Sequence, residues 1–392
     1  MMAEAKTSPP PRRLVDFEAL AERRLPELVY NYYHGWAGDG QTAKDNCAAF
    51  KRYRLLTRVL RDVSKQDTSI TVLGRVLDLP VVIAPTAQHV LAHDHGEKAT
   101  AKAAASMNVG MVVSSWTSYG IEEIVAAAPD GVKWFHLTLQ KDSARNKALL
   151  ARAENAGCTA IVLTVDQPVA RRLKRTGKLA VTPDTWSLPH MTFDDAPDRG
   201  TVSYGEYIYS SMKQPITWDD VEWTKANTSL PVVLKGILSG IIDVLPDVVL
   251  QIDVLPDVVL QIDVLPDVVL QIDVLPDVIV LQIDVLPDVV RAVEGRLDVY
   301  MDGGVRTGAD ILKALALGAK CVFVGRPVLW GLAYKGEEGV RQVLQILNDE
   351  LRVAMAHTGC SNISDITPEL LVRETCAGCH VTSKLKICED RT

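Results

Sequence analysis

Seven short runs rich in β-branched residues recur along the chain, and a stretch with helical apolar spacing follows each of them. The runs are PVVIAPTA (80–87), GMVVSS (110–115), KWFHLT (133–138), AIVLTVD (160–166), PVVLKG (231–236), LDVYMDGG (297–304) and CVFVGRP (321–327). Strands that alternate with helices predict a parallel sheet covered by helices. The predicted fold class is therefore α/β, and a closed (β/α)₈ TIM barrel is the favoured form at this length.

One strand of such a barrel is missing between PVVLKG and LDVYMDGG, where the chain repeats a decapeptide. Near-identical copies of IDVLPDVVLQ begin at Ile242, Ile252, Ile262, Ile272 and Ile283. Folded repeat arrays vary at exposed positions, end in capping units and use units of about twenty residues or more. A recent duplication, or an error in assembling the sequence, therefore explains the copies better than a solenoid does. We expect the repeat, at residues 241–290, to replace the sixth-strand region, with one VVLQIDV run closing the barrel.

Composition excludes several functional classes. With 392 residues, of which 47% are hydrophobic and 23% charged, the chain is typical of a globular protein with a large core. A formal net charge of -7 argues against a nucleic-acid partner, and no run is long and apolar enough to predict a membrane partner. The first residues lack the apolar core of a secretion signal, and seven scattered cysteines fit reduced intracellular thiols.

The predicted organisation is one barrel domain at residues 11–373, with the tandem repeat inside it. Residues 1–10 are expected to form a disordered N-terminus. Residues 374–392 are expected to form an irregular C-terminal tail, because no periodic apolar pattern continues beyond Arg373.

Three further segments complete the predicted domain. A helical segment around Asp16–Tyr33, with the extended region that follows it, is expected to cover the bottom of the barrel. The polar segment 174–216, which contains several prolines and glycines, predicts a mobile flap over the strand ends. Apolar spacing over Glu337–Thr358 predicts one long amphipathic helix.

The C-terminal ends of the predicted strands are polar, and barrels place their functional sites there. Lys235 closes one strand, Asp302 to Arg306 follow another, and Gly325 and Arg326 follow the last. Two glycine-containing loops with arginines at the last two strands predict a phosphate site, where backbone N–H groups meet an anion. The alternative is that the glycines form turns and the arginines are solvated. Lys235 alone fits a site lysine or a structural ion pair equally well.

Several motifs carry a more specific resemblance. The stretch VYMDGGVRTGADILKALALGAKCVFVGRPVLWGLAYKGEEGV resembles the flavin-binding end of the FMN-dependent 2-hydroxyacid oxidases, the family of glycolate oxidase, with animal hydroxyacid oxidases nearest. PTA, HDHGE, SSWTS, TVDQP and LPVVLKGIL stand in the family's order, and the resemblance covers roughly residues 11–240 and 283–373. It implies a TIM barrel that binds FMN and oxidises a small 2-hydroxy acid to a 2-oxo acid. It further implies dioxygen as acceptor, hydrogen peroxide as product, and a homo-oligomer.

The resemblance also assigns roles to residues of this chain. The residues implied to bind FMN are Pro85, Thr86, Ala87, Ser114, His136, Thr164, Lys235, Asp302, Gly303, Gly304, Arg306, Gly325 and Arg326. Those implied to bind the substrate are Tyr32, Trp116 and Arg172. Lys235 would place a positive charge beside the flavin atoms that gain electron density on reduction, which a fixed cation stabilises. For Tyr32 and Trp116 the alternative is simple packing at the barrel end.

The chain departs from the family pattern at the catalytic positions. The family's base histidine and a substrate-binding arginine belong to a phrase of the type SNHGGRQ after the lysine strand, and no such phrase occurs here. All eight histidines lie outside the interval 241–282. His136 stands where the family has a glutamine, and Thr138 where it has a tyrosine. Arg172 fits its family position only with a one-residue deletion, so Arg171 remains a competitor.

These departures leave alternatives open. A catalytically impaired FMN-binding member of the family is the second hypothesis, and an interaction module formed by the repeat is the third. His136, or His93 and His95, would have to replace the missing base, but the sequence does not position them. The spacing of His93 and His95 also suggests a metal pair, yet no third and fourth ligands are evident and no metal is expected.

Two C-terminal motifs are interpreted as accidental or doubtful. Cys376 to His380 match the C-x-x-C-H haem pattern, which requires export that the sequence does not indicate. Ser383-Lys384-Leu385 matches the peroxisomal tripeptide, but seven residues follow it. Localisation is therefore expected to be peroxisomal by resemblance, and otherwise cytoplasmic.

Overall fold

Eight parallel strands close into a barrel in the computed structural model, which describes residues 10–35, 40–166, 188–191, 207, 210–237, 258–262 and 282–374. The barrel strands are β4 (Val81–Ile83), β5 (Gly110–Val113), β6 (Lys133–Leu137), β7 (Ile161–Thr164), β8 (Val232–Lys235), β9 (Val258–Ile262), β10 (Val299–Asp302) and β11 (Cys321–Val324). The seven strands predicted from the sequence are thus confirmed. Their apolar runs fit a parallel sheet, because its strands are buried on both faces.

Four short strands lie outside the barrel. They are β1 (Tyr53–Leu55), which pairs with β12 (Leu371–Arg373), and the hairpin of β2 (Ile70–Val72) and β3 (Arg75–Leu77). The helices are α1 (Leu14–Arg24), α2 (Glu27–His34), α3 (Gln41–Ala49), α4 (Gly96–Ser106), α5 (Ile121–Ala127), α6 (Ser143–Ala156), α7 (Trp218–Ala226), α8 (Gln282–Val293), α9 (Gly308–Ala316) and α10 (Arg326–His357). None of the helices in these ranges has the length and apolarity to cross a bilayer.

The eighth strand comes from the repeat. β9 spells VVLQI and pairs in parallel with β8 on one side and β10 on the other. Gln261 is the register partner of both Lys235 and Tyr300. One VVLQI stretch therefore occupies the sixth position of the barrel, as expected. The other copies, apart from the last, lie outside the described residues.

The last copy of the repeat folds as a helix instead. α8 contains QIDVLPDVV, and Ile283, Leu286 and Val289 form its buried face. Asp284 accepts hydrogen bonds from Tyr53 Oη at 2.9 Å and from Arg373 Nη2 at 3.1 Å, and it pairs with Arg52. This cluster ties the helix to β1 and β12.

Alternating residues of the barrel strands point inward and form a core of their own. Val82, Val112, Val162 and Val233 share this interior cluster with aromatic side chains. Trp134 lies 5.8 Å from both Tyr300 and Phe323, measured between ring centroids, so the three rings fill the barrel. Because side chains alternate along a strand, the next inward position on each strand lies nearer the C-terminal end.

The segment before β4 covers both ends of the barrel, whereas the sequence predicted that it covers the bottom. Ile70, Val72 and Leu77 of the β2–β3 hairpin join the interior cluster and close the N-terminal end. Helix α2 instead lies at the C-terminal end, where Tyr33 Oη donates to the carbonyl of Gln88 at 2.5 Å.

One of the two helical predictions needs correction. The segment Asp16–Tyr33 contains two helices, because Pro26 lacks an N–H and holds Leu25 in an extended conformation with ψ 145°. The helix predicted at Glu337–Thr358 is confirmed, because non-helical φ and ψ angles at Lys335 and Gly336 divide α10 by a kink, and the part that follows runs to His357. The predicted disordered N-terminus, residues 1–10, and the predicted irregular tail, residues 374–392, lie outside the described residues except for Pro10 and Glu374.

Candidate active site

Polar side chains replace apolar ones at the C-terminal end of the barrel. The inward position that follows the interior cluster is Ser114 just beyond β5, His136 on β6, Thr164 on β7, Lys235 on β8 and Asp302 on β10, and all five residues are buried. Thr86 beyond β4, Thr138 beyond β6 and Asp166 beyond β7 continue the same rows. We call this set the mouth ring. It brings together polar groups that are far apart in the sequence, as the barrel prediction required.

His136 and Thr164 are paired within the mouth ring. His136 Nε2 lies 2.5 Å from Thr164 Oγ1, across the β6–β7 pairing. Burial, and then the nearby charge of Lys235, lower the pKa of His136 to about 3. The imidazole is therefore neutral at physiological pH and a weak proton acceptor. This argues against His136 as a replacement for the family's base.

Two uncharged side chains of the mouth ring each have an atom with unused hydrogen-bonding capacity. Among the described residues, His136 Nδ1 and Thr138 Oγ1 are shielded from solvent and have no hydrogen-bond partner. Buried polar atoms are paired in the great majority of cases. A ligand with polar groups along its edge would satisfy both atoms. The chemistry of the ring, with neutral donors and acceptors beside a lysine, fits the heteroatom edge of an isoalloxazine.

Asp166, Lys235 and Asp302 are the acidic and basic residues of the mouth ring. Asp166 follows β7 and Lys235 ends the adjacent β8, since Thr164 is the register partner of Lys235 and Val165 N–H donates to the Lys235 carbonyl at 2.8 Å. Asp166 Oδ1 is shielded from solvent and has no hydrogen-bond partner in the described chain. Burial raises the pKa of this carboxyl, and Lys235 opposes the rise.

A hydrogen-bond chain fixes the hydroxyl of Thr86. His89 Nε2 lies 2.5 Å from Thr86 Oγ1, and His89 Nδ1 lies 2.9 Å from Thr100 Oγ1. Thr100 Oγ1 also donates to the Gly96 carbonyl at 3.5 Å. The imidazole of His89 therefore links the hydroxyls of Thr86 and Thr100. A Cβ on Gly325 would lie 3.3 Å from Thr86 Cγ2, which places the last strand beside it.

The loops after β10 and β11 are adjacent, because Asp302 is the register partner of Phe323. Gly303 and Gly304 adopt positive φ angles of 90° and 77°, and Asp302 Oδ1 accepts from Gly303 N–H at 2.7 Å. A Cβ on Gly304 would lie 2.5 Å from the Asn46 carbonyl oxygen, so helix packing alone requires glycine there. The phosphate site at these loops stays a prediction.

Two arginines add positive charge at this side of the mouth. Arg306 and Arg326 both lower the pKa of Glu18, after the larger effect of its hydrogen bond to His34. Helix α10 begins at Arg326, so the N-terminus of a helix adjoins the same two loops. The arrangement suits a dianionic phosphate. Together with the mouth ring, these groups fit the phosphate and the polar ring edge of the FMN that the sequence resemblance implies.

The residues predicted to bind substrate are only partly visible. Tyr32 is buried on α2, with its ring centroid 5.2 Å from that of Tyr33, which contacts the loop after β4. Trp116 packs against the cluster of Leu188, Met191 and Met212, the described part of the predicted flap. Arg171 and Arg172 lie outside the described residues.

The histidine pair outside the mouth ring gives no support to a metal site. His93 and His95 have ring centroids 5.6 Å apart, and His95 N–H donates to His93 Nδ1 at 3.2 Å. Within the described ranges, no three His, Cys, Asp or Glu side chains are arranged to hold a metal ion.

Sequence reasoning missed Asp166 and His89. Asp166 stands two residues beyond Thr164 in TVDQP, so alternation along β7 could have identified it as a mouth residue. His89 lies in a loop, where no periodicity applies, and its contact with Thr86 appears only in three dimensions.

A cavity of about 650 Å³ lies at the opposite end of the barrel. Ile70, Val299 and Lys320, which are in the hairpin or at the N-terminal ends of strands, contribute to its lining. Barrel enzymes place their reactive groups at the C-terminal end, so this cavity is remote from the candidate site.

Proteins of similar sequence and structure include 2-hydroxyacid, glycolate and mandelate oxidases. Mouse 2-hydroxyacid oxidase 2 is 42% identical over 359 residues, which cover 91% of this chain and 97% of that protein. Human 2-hydroxyacid oxidase 1 is 41% identical, with coverages of 91% and 95%, and glycolate oxidase 5 of Oryza sativa subsp. japonica is 38% identical, with coverages of 92% and 95%. The crystal structure of mandelate oxidase with (S)-4-hydroxymandelic acid is 34% identical with a TM-score of 0.78, and covers 91% of this chain and 97% of that one.

The family model for FMN-dependent dehydrogenases matches residues 21–241 and 276–373. The match skips residues 242–275, which hold the first three copies of the repeat and the start of the fourth. Matched segments on both sides of the gap carry the mouth ring and the two loops with their arginines. The chain therefore belongs to the FMN-dependent dehydrogenase family.

Proposed function

We propose that this protein oxidises a small 2-hydroxy acid to a 2-oxo acid with FMN, and that dioxygen reoxidises the flavin to give hydrogen peroxide. The mouth ring carries the proposal, because it sets a buried lysine beside neutral hydrogen-bonding groups at the catalytic end of the barrel. Relatives named as 2-hydroxyacid and glycolate oxidases support this reaction.

Bound FMN would accept two electrons and a hydrogen from the α-carbon of the substrate. The residues of this chain would hold it by two regions. Gly303, Gly304 and Gly325, with Arg306 and Arg326, would bind the ribityl phosphate. The row from Pro85 to Ala87, with Ser114, His136 and Thr164, would line the ring.

Lys235 supplies the fixed charge of the site. Its ammonium is buried at the end of β8, and a cation in such an environment interacts more strongly than one in water. It would stabilise negative charge that develops beside it during oxidation. Tyr32 and Trp116, with Arg172 or Arg171, would bind the substrate carboxylate. Thr138 replaces the family's tyrosine and offers a shorter hydroxyl, so we expect weaker carboxylate binding.

Three finer assignments belong to the same proposal. The decapeptide repeat replaces the family's sixth βα unit, as the gap in the family match supports. The protein forms a homo-oligomer. It resides in peroxisomes by family, although Ser383-Lys384-Leu385, outside the described residues, is not terminal.

Flavin absorbance and peroxide formation test the proposal together. The purified protein should gain visible flavin absorbance on incubation with FMN, and should release peroxide from glycolate, a longer 2-hydroxy acid or mandelate in a peroxidase-coupled assay. Lys235→Met should lower the midpoint potential of the bound flavin, whereas Lys320→Met, at the other end of the barrel, should not. A protein that gains no flavin absorbance contradicts the proposal.

The absence of histidine between residues 241 and 282 favours a second candidate, an FMN-binding protein with impaired catalysis. It predicts flavin binding without peroxide from any of the three acids. The same assay therefore separates the two functions.

A further inference from the structure

We propose that Asp166 is the residue of this chain that accepts the substrate's hydroxyl proton. The proposal rests on the oxidase function and deepens it. Two observations lead to it: the family's histidine is missing from the sequence, and a carboxylate oxygen without a hydrogen-bond partner lies at the catalytic end of the barrel, in the part of the chain that the structure describes.

The position of Asp166 suits a proton acceptor. It stands two residues beyond Thr164, in the row whose preceding members, Val162 and Thr164, point into the barrel. Gly236 packs against it so closely that a Cβ there would lie 2.5 Å from Asp166 Cβ. This contact holds the aspartate at the top of the β7–β8 pair, beside the end of Lys235.

The surroundings of Asp166 adjust its basicity in the required direction. Burial raises its pKa above the ordinary value, which makes the ionised carboxylate a stronger base. Lys235 opposes the rise and keeps the ionised form accessible. His136, which also lies within the field of Lys235, has a pKa of about 3 and accepts a proton less readily. Lys235 is the charged side chain that acts on the pKa of Asp166, and His136 and Asp302 are the other titratable residues of the described mouth ring.

The proton transfer balances as follows. The substrate's hydroxyl O–H bond breaks, its proton goes to an Asp166 oxygen, and the electron pair forms the second C–O bond of the 2-oxo acid. The α-carbon's C–H bond breaks, and its hydrogen leaves with both electrons to the oxidised flavin, which is the oxidant. Asp166 then releases the proton towards solvent, and dioxygen takes the two electrons and two protons to become hydrogen peroxide.

Asp166→Asn tests the role, because it keeps the shape of the side chain and removes its basicity. We expect kcat/KM for the best acid to fall by about 10²–10⁴-fold, the usual loss for a general base. Asp219→Asn, an exposed carboxylate at the start of α7, is the matched control and should retain the rate of the parent. FMN affinity should stay within a few-fold in both. The flavin midpoint potential should rise in Asp166→Asn, because a negative charge beside the ring is lost.

The pH profile separates a base from a residue that only positions Lys235. In the parent, kcat/KM should fall as pH decreases through the raised pKa of Asp166, and Asp166→Asn should lack this limb. Should that variant fold poorly, Asp166→Ala provides a second test. Added formate should raise the rate of Asp166→Ala at least tenfold over its rate without formate.

The outcomes distinguish this inference from the function beneath it. Suppose that the unsubstituted protein releases peroxide, and that Asp166→Asn keeps kcat/KM within threefold of it with the same decrease at low pH. This result overturns the inference and leaves the oxidase function standing. A parent that binds FMN without producing peroxide from any acid overturns both. Loss of rate, loss of the limb and rescue by formate support the inference.

Discussion

Removal of the Asp284 carboxylate should destabilise the whole domain, because it joins three separate parts of the chain. Asp284 lies in α8, its side chain is 17% exposed, and it contacts Arg52, Tyr53 and Arg373. These partners belong to the segments at the two ends of the domain, where β1 pairs with β12. Asp284→Ala removes every one of these contacts at once.

The magnitude follows from the burial of each partner. The Tyr53 hydrogen bond at 2.9 Å is to a charged acceptor, and such bonds contribute about 1.5–3 kcal/mol. The side chains of Arg52 and Arg373 are 36% and 43% exposed, so each ion pair contributes about 0–1 kcal/mol. The sum is about 1.5–5 kcal/mol. With an unfolding entropy of about 2.1 cal/mol/K per residue, Tm should fall by about 2–6 °C.

Thermal and urea unfolding of the apoprotein measure this loss. The repeat offers a control with the same local sequence, because Asp253 stands in an identical QIDVLPDVV phrase. Asp253→Ala should leave Tm unchanged to within about 1 °C, since Asp284 already occupies Arg52, Tyr53 and Arg373. In a double-mutant cycle, Asp284→Ala and Tyr53→Phe should be less than additive by about 1 kcal/mol or more.

Equal loss of stability in Asp284→Ala and Asp253→Ala would refute the reasoning, because it would show that sequence and not position sets the role of each copy. Full additivity of Asp284→Ala with Tyr53→Phe would contradict the hydrogen bond itself.

Three further predictions concern packing, pH and the flavin. Gly308→Ala should lower the unfolding free energy by about 3 kcal/mol, because its Cβ would lie 2.0 Å from a backbone nitrogen of α10. Gly157→Ala meets nothing within 4 Å and should lose only about 1 kcal/mol because of its φ of +95°, so similar losses for the two variants in urea unfolding would contradict the close contact at Gly308. Burial lowers the pKa of His190 to about 4 from an ordinary 6.5, so its contribution to stability is complete above about pH 6.5 and is lost as pH falls towards about 4. In His190→Gln, the loss of unfolding free energy between about pH 6.5 and pH 4 should therefore be smaller by up to about 3 kcal/mol. The pH dependence of Tm measures this difference, and an unchanged dependence would argue against a buried neutral His190. His89→Phe should weaken FMN binding about fivefold in a fluorescence titration, because the Thr86 hydroxyl loses its hydrogen-bond partner, while Val90→Ala should leave the affinity unchanged. Equal FMN affinities for the two variants would show that His89 does not contribute to the site.

The barrel was predictable because its strands are buried on both faces. Runs such as PVVLKG and CVFVGRP are almost wholly apolar, and glycine or a charged residue marks where each ends at the mouth. Lys235 and Asp302 could therefore be assigned to one end of one barrel from the sequence pattern, whereas Thr164 was assigned through the family resemblance. The break at Pro26 could have been read from the same rules, since proline restricts the residue before it.

Other parts of the site were not predictable, because they depend on contacts between distant segments. The interaction of His89 with Thr86 and Thr100 requires a loop to fold back on a helix. The interaction of Asp284 with Tyr53 and Arg373 joins residues more than 80 positions apart. The local sequence also cannot determine the secondary structure of the repeat. The segment QIDVLPDVV is entirely helical in α8, whereas the two valines that end an identical segment are the first residues of β9. Tertiary environment overrides propensity there.

The sequence of strand β9 occurs three times in the chain, which affects how this strand responds to mutation. VVLQI stands at residues 248–252 and 268–272 as well as in β9, so three identical segments match the register of β8 and β10. The three segments have identical side chains, so their sequences do not decide which of them forms the strand. A point mutation in one segment leaves the other two sequences intact. This wall of the barrel should thus tolerate mutations that would be damaging in the seven strands with no duplicate, and purifying selection on it should be correspondingly relaxed.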